Sequence, residues 1–147
     1  MKKVLPPTYF LVALLGMTVL HFVWPLGRYC SFPLTLTGLA PLLVGVLLNL
    51  AADREFKRHA TTVKPFEQSS ALVTAFPFSL SRNPMYLGVA VMLLGVALLL
   101  GTISPLLPVV VFPILMDVKF VRVEERMLAE TFGTEWVRYR SKVRRWI

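Results

Sequence analysis

Cysteine is nearly absent from this 147-residue chain: Cys30 stands alone. An internal disulfide is excluded, and a cysteine-based metal site has too few ligands. Histidine is almost as scarce, with only His21 and His59, and no zinc-type spacing occurs. No phosphate-binding glycine loop, dinucleotide fingerprint or nucleophile elbow is present. Acidic residues are few as well, 8 against 16 Lys and Arg, for a net charge of +8. Basicity of this kind suits nucleic acid or anionic lipid heads, but no soluble basic domain is available for nucleic acid, which leaves the membrane.

What the chain has in excess is apolar sequence. Hydrophobic residues make up 56%, whereas a soluble domain is nearer ~45–50% even with glycine counted. The surplus is gathered into long runs, so the expectation is a single all-α integral membrane domain over 1–147. Four transmembrane helices are predicted at about 8–24, 32–52, 84–101 and 104–122. Each is close to the ~20 residues that cross ~30 Å of hydrocarbon. Lys2 and Lys3 before an apolar run resemble the start of a secretory signal. The run continues to Trp24 without a small-residue cleavage site, so a retained helix is expected.

Charge orients the spans. The amino terminus has Lys2 and Lys3, and the middle loop has Arg54, Lys57, Arg58, Lys64 and Arg82. The sequence from Asp117 onward carries eight Lys or Arg residues. The other two loops hold only Arg28 between them. Both termini and the middle loop are therefore expected on the cytoplasmic side of the membrane. Trp24 and Tyr29 then fall at the outer interface.

The fourth span is short of apolar residues. Its uncharged part, 105–116, has 12 residues, which rise only ~18 Å. The helix must continue through Asp117, Lys119 and Arg122 to reach the cytoplasm. Charges at that depth normally face a protein interior or a wet cavity and mark functional sites. Pro108 and Pro113 are both expected to kink it. Counting helix rise down span three and back along span four brings Glu124 and Glu125 level with Arg82, Asn83 and Tyr86, to within about one turn.

Past the acidic pair, Gly133 is expected to end the helix and Thr134 to cap another. Phe132, Trp136, Tyr139, Val143 and Trp146 recur at helical spacing on one face, with Arg138, Arg140, Lys142, Arg144 and Arg145 around them. A basic amphipathic helix lying in the membrane interface is predicted, anchored to membrane lipids and able to roof a pocket.

Each polar motif has a structural and a functional reading. Asn83-Pro84 suits a helix cap followed by proline at the first helical position, and Arg82 suits a positive-inside anchor. The same residues form an anion site, since a helix amino terminus and an arginine both favour negative charge. Glu124 and Glu125 suit a solvated face paired with Arg122 or Arg126. They equally suit a ligand cation or ribose hydroxyls, with only one facing the ligand because neighbours on a helix point ~100° apart. Tyr86 fits an interfacial belt or a wall against a cationic ligand. Gly88 fits helix packing. His59 reads as a loop histidine, and His21 as a partner for a neighbouring helix.

A family resemblance is carried by Thr61-Thr62-Val63-Lys64-Pro65, Ala71-Leu72-Val73-Thr74 and Ser81-Arg82-Asn83-Pro84-Met85-Tyr86-Leu87-Gly88. It continues in Glu124-Glu125-Arg126-Met127-Leu128, Phe132-Gly133, Tyr139 and Val143-Arg144-Arg145-Trp146. The pattern resembles the bacterial isoprenylcysteine carboxyl methyltransferase-like proteins, a superfamily that includes phospholipid methyltransferases. It covers about 56–147. The resemblance implies S-adenosylmethionine as cofactor, held by about 56–88 and 117–147, and a lipophilic acceptor arriving from the bilayer. It implies Arg82, Asn83, Tyr86, Glu124 and Glu125 as cofactor-site residues, Leu72 and Val73 as the adenine wall, and Arg82 and Glu125 as the catalytic pair. No metal is implied. Asn83 stands where eukaryotic members have histidine, Phe76-Pro77 where relatives often have Gly-Pro, and Ala60 where glycine is common.

Methyl transfer from a sulfonium mainly requires alignment. A carboxylate acceptor needs no general base, whereas an amine must lose a proton. No base is evident in the sequence, which favours a carboxylate acceptor. The alternatives are an ethanolamine head-group N-methyltransferase, an NADPH-dependent membrane reductase with a similar Arg-Asn-Pro…Tyr pattern, and a non-enzymatic membrane module. The sequence is silent on oligomeric state.

Overall fold

The computed structural model describes residues 5–60 and 69–147. Lys2, Lys3 and the 61–65 part of the family pattern, Lys64 included, lie outside the described residues. Every regular element among those residues is helical. Helix α1 is Pro6–Val23, and a 3-10 turn, Leu34–Gly38, leads into α2, Leu39–Arg58. Helix α3 is Pro84–Leu100 and α4 is Leu106–Met116. A five-residue π-helical segment, Asp117–Val121, joins α4 to α5, Arg122–Lys142.

Helix boundaries follow local chemistry. α1 and α3 both begin on proline, which has no N–H to leave unpaired and a φ already suited to a helix. α3 closes on Gly101 in the left-handed conformation. Of the two prolines expected to kink the fourth helix, only Pro113 lies inside it. Pro108 sits in the first turn of α4, where an N–H has no intrahelical partner to lose, so it does not break the helix. The wide π segment follows one turn after Pro113.

Two helices, Pro6–Val23 and Leu34–Arg58, are long and apolar enough to cross a membrane, and Pro84–Leu100 is a shorter apolar helix. Leu11, Leu15 and Phe22 on α1 and Leu39, Leu43 and Leu47 on α2 are exposed. Apolar surface on that scale suits lipid rather than water. Inside, Met17 of α1, Leu93 and Ala97 of α3, and Phe112 and Met116 of α4 form one core. A second core joins Ala52 of α2 to Val73 and Phe78 in the following loop.

α2 and α3 run against each other so closely that glycine is required at the crossing. A Cβ on Gly45 would lie under 3.0 Å from the Gly88 backbone, and one on Gly38 would do the same to Gly95. The two contacts sit seven residues apart on each helix, which sets an antiparallel register. Gly88 thus has the packing role read from the sequence. At the end of the bundle away from Arg82, the Tyr29 hydroxyl donates to Ala97 O at 2.7 Å and His21 Nδ1 meets Thr102 Oγ1 at 2.8 Å. Tyr29 is therefore tied to α3, while Trp24 is exposed.

Beyond Lys119 the helix departs from expectation in its direction of burial. Gly133 breaks it, with φ 49 and ψ −115. Trp136 and Tyr139, expected on a lipid-facing surface, are buried against protein. The Tyr139 hydroxyl donates to Phe78 O at 2.7 Å, so this face serves as a roof over the 69–83 loop.

Two measurements test this packing. Gly45→Leu is expected to cost at least about 1–3 kcal/mol through overpacking, read as a lowered midpoint of thermal unfolding in detergent; an unchanged midpoint would contradict the close crossing. Ala60 has φ 46, a left-handed conformation that costs an L side chain ~1–2 kcal/mol. Glycine removes that strain and adds ~0.5–1 kcal/mol of chain entropy. Ala60→Gly is therefore expected to stabilise the fold by about 0.5–1 kcal/mol, seen as a raised midpoint.

Candidate active site

A cavity of about 670 Å³ opens between the start of α1, the loop after α2, the amino end of α3 and the middle of α5. Its walls include Phe10, Phe56, Val73, Val89 and Phe112, so most of it is apolar. Six of the seven residues expected at the cofactor site line it: Leu72, Val73, Arg82, Asn83, Tyr86 and Glu124. Glu125 does not. The hairpin register read from helix rise is observed, since the Tyr86 hydroxyl donates to Glu124 Oε1 at 2.7 Å.

The twin glutamates divide as adjacent helical positions must. Glu124 faces the cavity and Tyr86. Glu125 turns away, and Arg145 grips it with Nε at 3.0 Å and Nη2 at 2.6 Å. Arg82 Nη2 lies 3.3 Å from the same carboxylate. Neither glutamate pairs with Arg122 or Arg126. Arg122 bonds Asp117 at 2.8 Å, and Asp117 also receives Arg145 Nη1 at 3.1 Å. Of the charges expected at membrane depth, Asp117 and Arg122 join one chain, Arg82–Glu125–Arg145–Asp117–Arg122, whereas Lys119 is exposed and takes no part in it. Glu125, expected to act directly as one of the catalytic pair, is held by Arg145 and Arg82 and does not line the cavity.

Arg82 has the opposite character. Its side chain is only 9% exposed, and its guanidinium lies 5.6 Å from the centre of the Trp136 ring. Nε and Nη1 are buried without a hydrogen-bond partner among the described residues. Burial lowers its pKa and Glu125 opposes that shift, yet a guanidinium starts so high that it remains a cation. Two unused donors on a buried cation in a cavity wall are expensive unless an anion takes them.

Asn83 occupies the cap position of α3 but makes no side-chain cap. Its Nδ2 instead donates to Arg145 O at 3.0 Å, beside Ser81 Oγ donating to the same carbonyl at 3.1 Å. Arg82 N–H donates to Arg144 O at 3.0 Å. The chain after α5 is thereby stitched to the Ser81–Arg82–Asn83 corner. Among the departures from the family pattern, the Phe76 side chain is 61% exposed and takes no part in the cavity wall. Ala60 has the positive φ that glycine would favour.

Burial raises the Glu124 pKa, and the Tyr86 hydrogen bond acts against it. Glu124 lies past the apolar part of α4 and is the carboxylate in the wall able to hold a cation or take a proton. Sequence reasoning missed Trp136 beside Arg82 and missed Arg145 as the partner of Glu125, although Arg145 belongs to the carboxyl-terminal part of the family pattern. It also missed Asn49, a polar residue of α2 that lines the cavity.

A buried arginine with unpaired donors and a carboxylate thus line one largely apolar cavity, in a helical frame with two helices of membrane-spanning length. The chain belongs to the phospholipid methyltransferase family, whose family model matches residues 34–135, within the isoprenylcysteine carboxyl methyltransferase-like superfamily. Membership implies methyltransferase activity and membrane association. A Haemophilus influenzae protein described as uncharacterized is 38% identical over 63 residues, which is 43% of this chain and all of that protein. No solved structure matches the chain.

The electrostatics give a direct test. Glu124 is expected to titrate above the ordinary glutamate range. Tyr86→Phe removes the bond that favours the carboxylate, so the titration should move higher still. Carbon NMR of the labelled carboxyl reads both; a Glu124 that titrates in the ordinary range, or one unmoved by the substitution, would contradict this geometry.

Proposed function

We propose that this protein is an S-adenosylmethionine-dependent methyltransferase acting on a lipophilic acceptor at the cytoplasmic face of the membrane. The observation that carries the reading is the buried Arg82 guanidinium, with Nε and Nη1 unpaired, in the wall that also presents Glu124. An amino-acid end has a carboxylate and an ammonium. Arg82 suits the first and Glu124 the second, and charge-assisted hydrogen bonds of this kind are the strong ones. Val73, Leu72 and Phe78 offer apolar surface for the remainder of the cofactor. When bound, the cofactor supplies an electrophilic methyl group on a sulfonium. The chain's own residues hold and orient the reactants and keep water away from the apolar side of the cavity.

The reading places α1, the 3-10 turn with α2, α3, and α4 with the π segment as four spans. Both termini are cytoplasmic, by the charge distribution. The basic exposed residues of α5, Arg138, Arg140 and Lys142, then face anionic lipid heads.

The acceptor favoured from the sequence is a carboxylate, because no base was evident. A second reading has specific support. Glu124 is a wall carboxylate whose burial raises its pKa, which in this reading makes it the acceptor of a proton from the substrate amine in place of the partner of the cofactor ammonium, and the matched family is that of phospholipid methyltransferases. An ethanolamine head group is the amine acceptor of that reading.

Calorimetry with S-adenosylhomocysteine on detergent-purified protein tests the cofactor assignment. Arg82→Ala is expected to weaken binding by about tenfold or more, the loss of a charge-assisted hydrogen bond. Unchanged affinity would remove Arg82 from the site. Methylated ethanolamine lipids in cells expressing the protein would select the amine acceptor; methyl esters formed from a prenylated or fatty carboxylate would select the other.

A further inference from the structure

Arg82 and Glu125 pose a competition. A carboxylate 3.3 Å from a guanidinium ordinarily closes into a two-pronged pair, and such a pair would occupy the donors that the proposed cofactor needs. Here it does not close. Nη2 alone approaches Glu125, while Nε and Nη1 stay unpaired. The Glu125 carboxylate is gripped from the other side by Arg145, through both oxygens. Arg145 is in turn braced by Asp117 at 3.1 Å. Its hydrogen bonds to Glu125 and the charge of both carboxylates stabilise its cation. Trp136 stacks near the Arg82 guanidinium and gives it no hydrogen-bond acceptor.

We propose that Arg145 is a positioning residue that holds Glu125 away from Arg82, leaving the Arg82 guanidinium free to receive a ligand carboxylate. Its effect passes through Glu125, and Arg145 is absent from the cavity wall. This role rests on the reading of Arg82 as the cofactor's anion site. The backbone contacts of the same segment are independent of the Arg145 side chain, because the carbonyls of Arg144 and Arg145 accept them. An Arg145 substitution therefore keeps the stitch between the chain end and the α3 corner.

The test is a cycle of Arg145→Ala, Glu125→Gln and the double variant, read by calorimetric affinity for S-adenosylhomocysteine in the full chain. Arg145→Ala should weaken binding by about 10- to 100-fold, as the freed Glu125 carboxylate takes Arg82's donors. Adding Glu125→Gln to Arg145→Ala removes the competitor and should restore most of that loss. A role in packing alone predicts the double variant to be as weak as or weaker than Arg145→Ala, and that result overturns the proposal. Arg145→Lys keeps a charge but not the planar fork. It should show a smaller loss, again reversed by Glu125→Gln, and it carries the test if the alanine variant does not fold.

A second readout needs no cofactor. In ligand-free protein the Arg82 Nε–H nitrogen signal should shift in Arg145→Ala and return in the double variant. If wild type fails to bind S-adenosylhomocysteine yet this signal behaves so, the cofactor reading falls and the positioning role stands. An Arg82 signal indifferent to Arg145 overturns the positioning role whatever the affinity.

Discussion

The structure depends on how one buried positive charge is neutralised. Arg82 lies where the loop after α2 enters α3, beside a largely apolar cavity, and its side chain is nearly inaccessible. An isolated charge there would be prohibitive. It is balanced by a string of alternating sign, Glu125, Arg145, Asp117 and Arg122, that runs outward to an Arg122 side chain in contact with solvent. Pairs of this type add little stability over a well-packed apolar substitute. Their value here is directional. They fix which way Glu125 points, and the chain after α5 cannot leave the α3 corner without exposing Glu125 and Arg82 together.

Helix geometry makes that arrangement possible. Two adjacent glutamates on a regular helix diverge by ~100°, so one can face a cavity while the other faces an ion pair. Which one faces which depends on the phase in which α5 leaves α4. The π segment Asp117–Val121 sets that phase, because its wider turn advances the helix by an extra residue. It also puts Asp117 within reach of both Arg122 and Arg145. Pro113, one turn earlier, interrupts the ladder on its own amino-terminal side, within α4, because it has no N–H for the carbonyl four residues back. At the other side of the cavity, the glycine crossing of α2 on α3 brings Asn49 beside Gly88 and so draws the second helix into the wall.

Much of this was legible before any coordinates. Apolar runs and prolines located α1 and α3 closely, because span length and the missing proline N–H are strong local constraints, whereas α2 runs on past the predicted 32–52 to Arg58. The rise per residue brought both glutamates level with Arg82, Asn83 and Tyr86, since both arms of a hairpin climb at the same rate, and the bond from Tyr86 to Glu124 agrees with that register. The direction of Glu125 was not legible, because residue spacing does not report an inserted π turn. Asn83 read as a cap by type, but its side chain goes to Arg145 O, a partner 62 residues away that no local pattern reveals. The basic, aromatic helix at the chain end read as a lipid anchor because periodicity identifies an apolar face without saying what covers it. Here Phe78 O and Arg82 meet Tyr139 and Trp136. Gly88 read as a packing residue, but its partner Gly45 and the Gly38–Gly95 contact were hidden for the same reason: only the pairing of the helices makes those glycines necessary.

The cavity itself has an asymmetry that follows from where it is built. Its charged groups come from the α3 corner and from α5, past the end of the apolar helices, while α1, α2 and the body of α3 contribute mainly apolar side chains, with Asn49 of α2 the polar exception. Polar groups are held cheaply near the water interface and at high cost deeper in hydrocarbon, so any membrane-embedded version of this fold must divide its cavity in the same sense. A ligand with charged ends is drawn to the Arg82 and Glu124 side, and a hydrocarbon chain to the Phe10, Val89 and Phe112 side. The proposed pair of reactants, a charged methyl donor and a lipophilic acceptor, differs along that axis. On that proposal the cavity aligns them by partitioning, and the Arg82 guanidinium, whose Nε and Nη1 are unpaired, fixes the last contact.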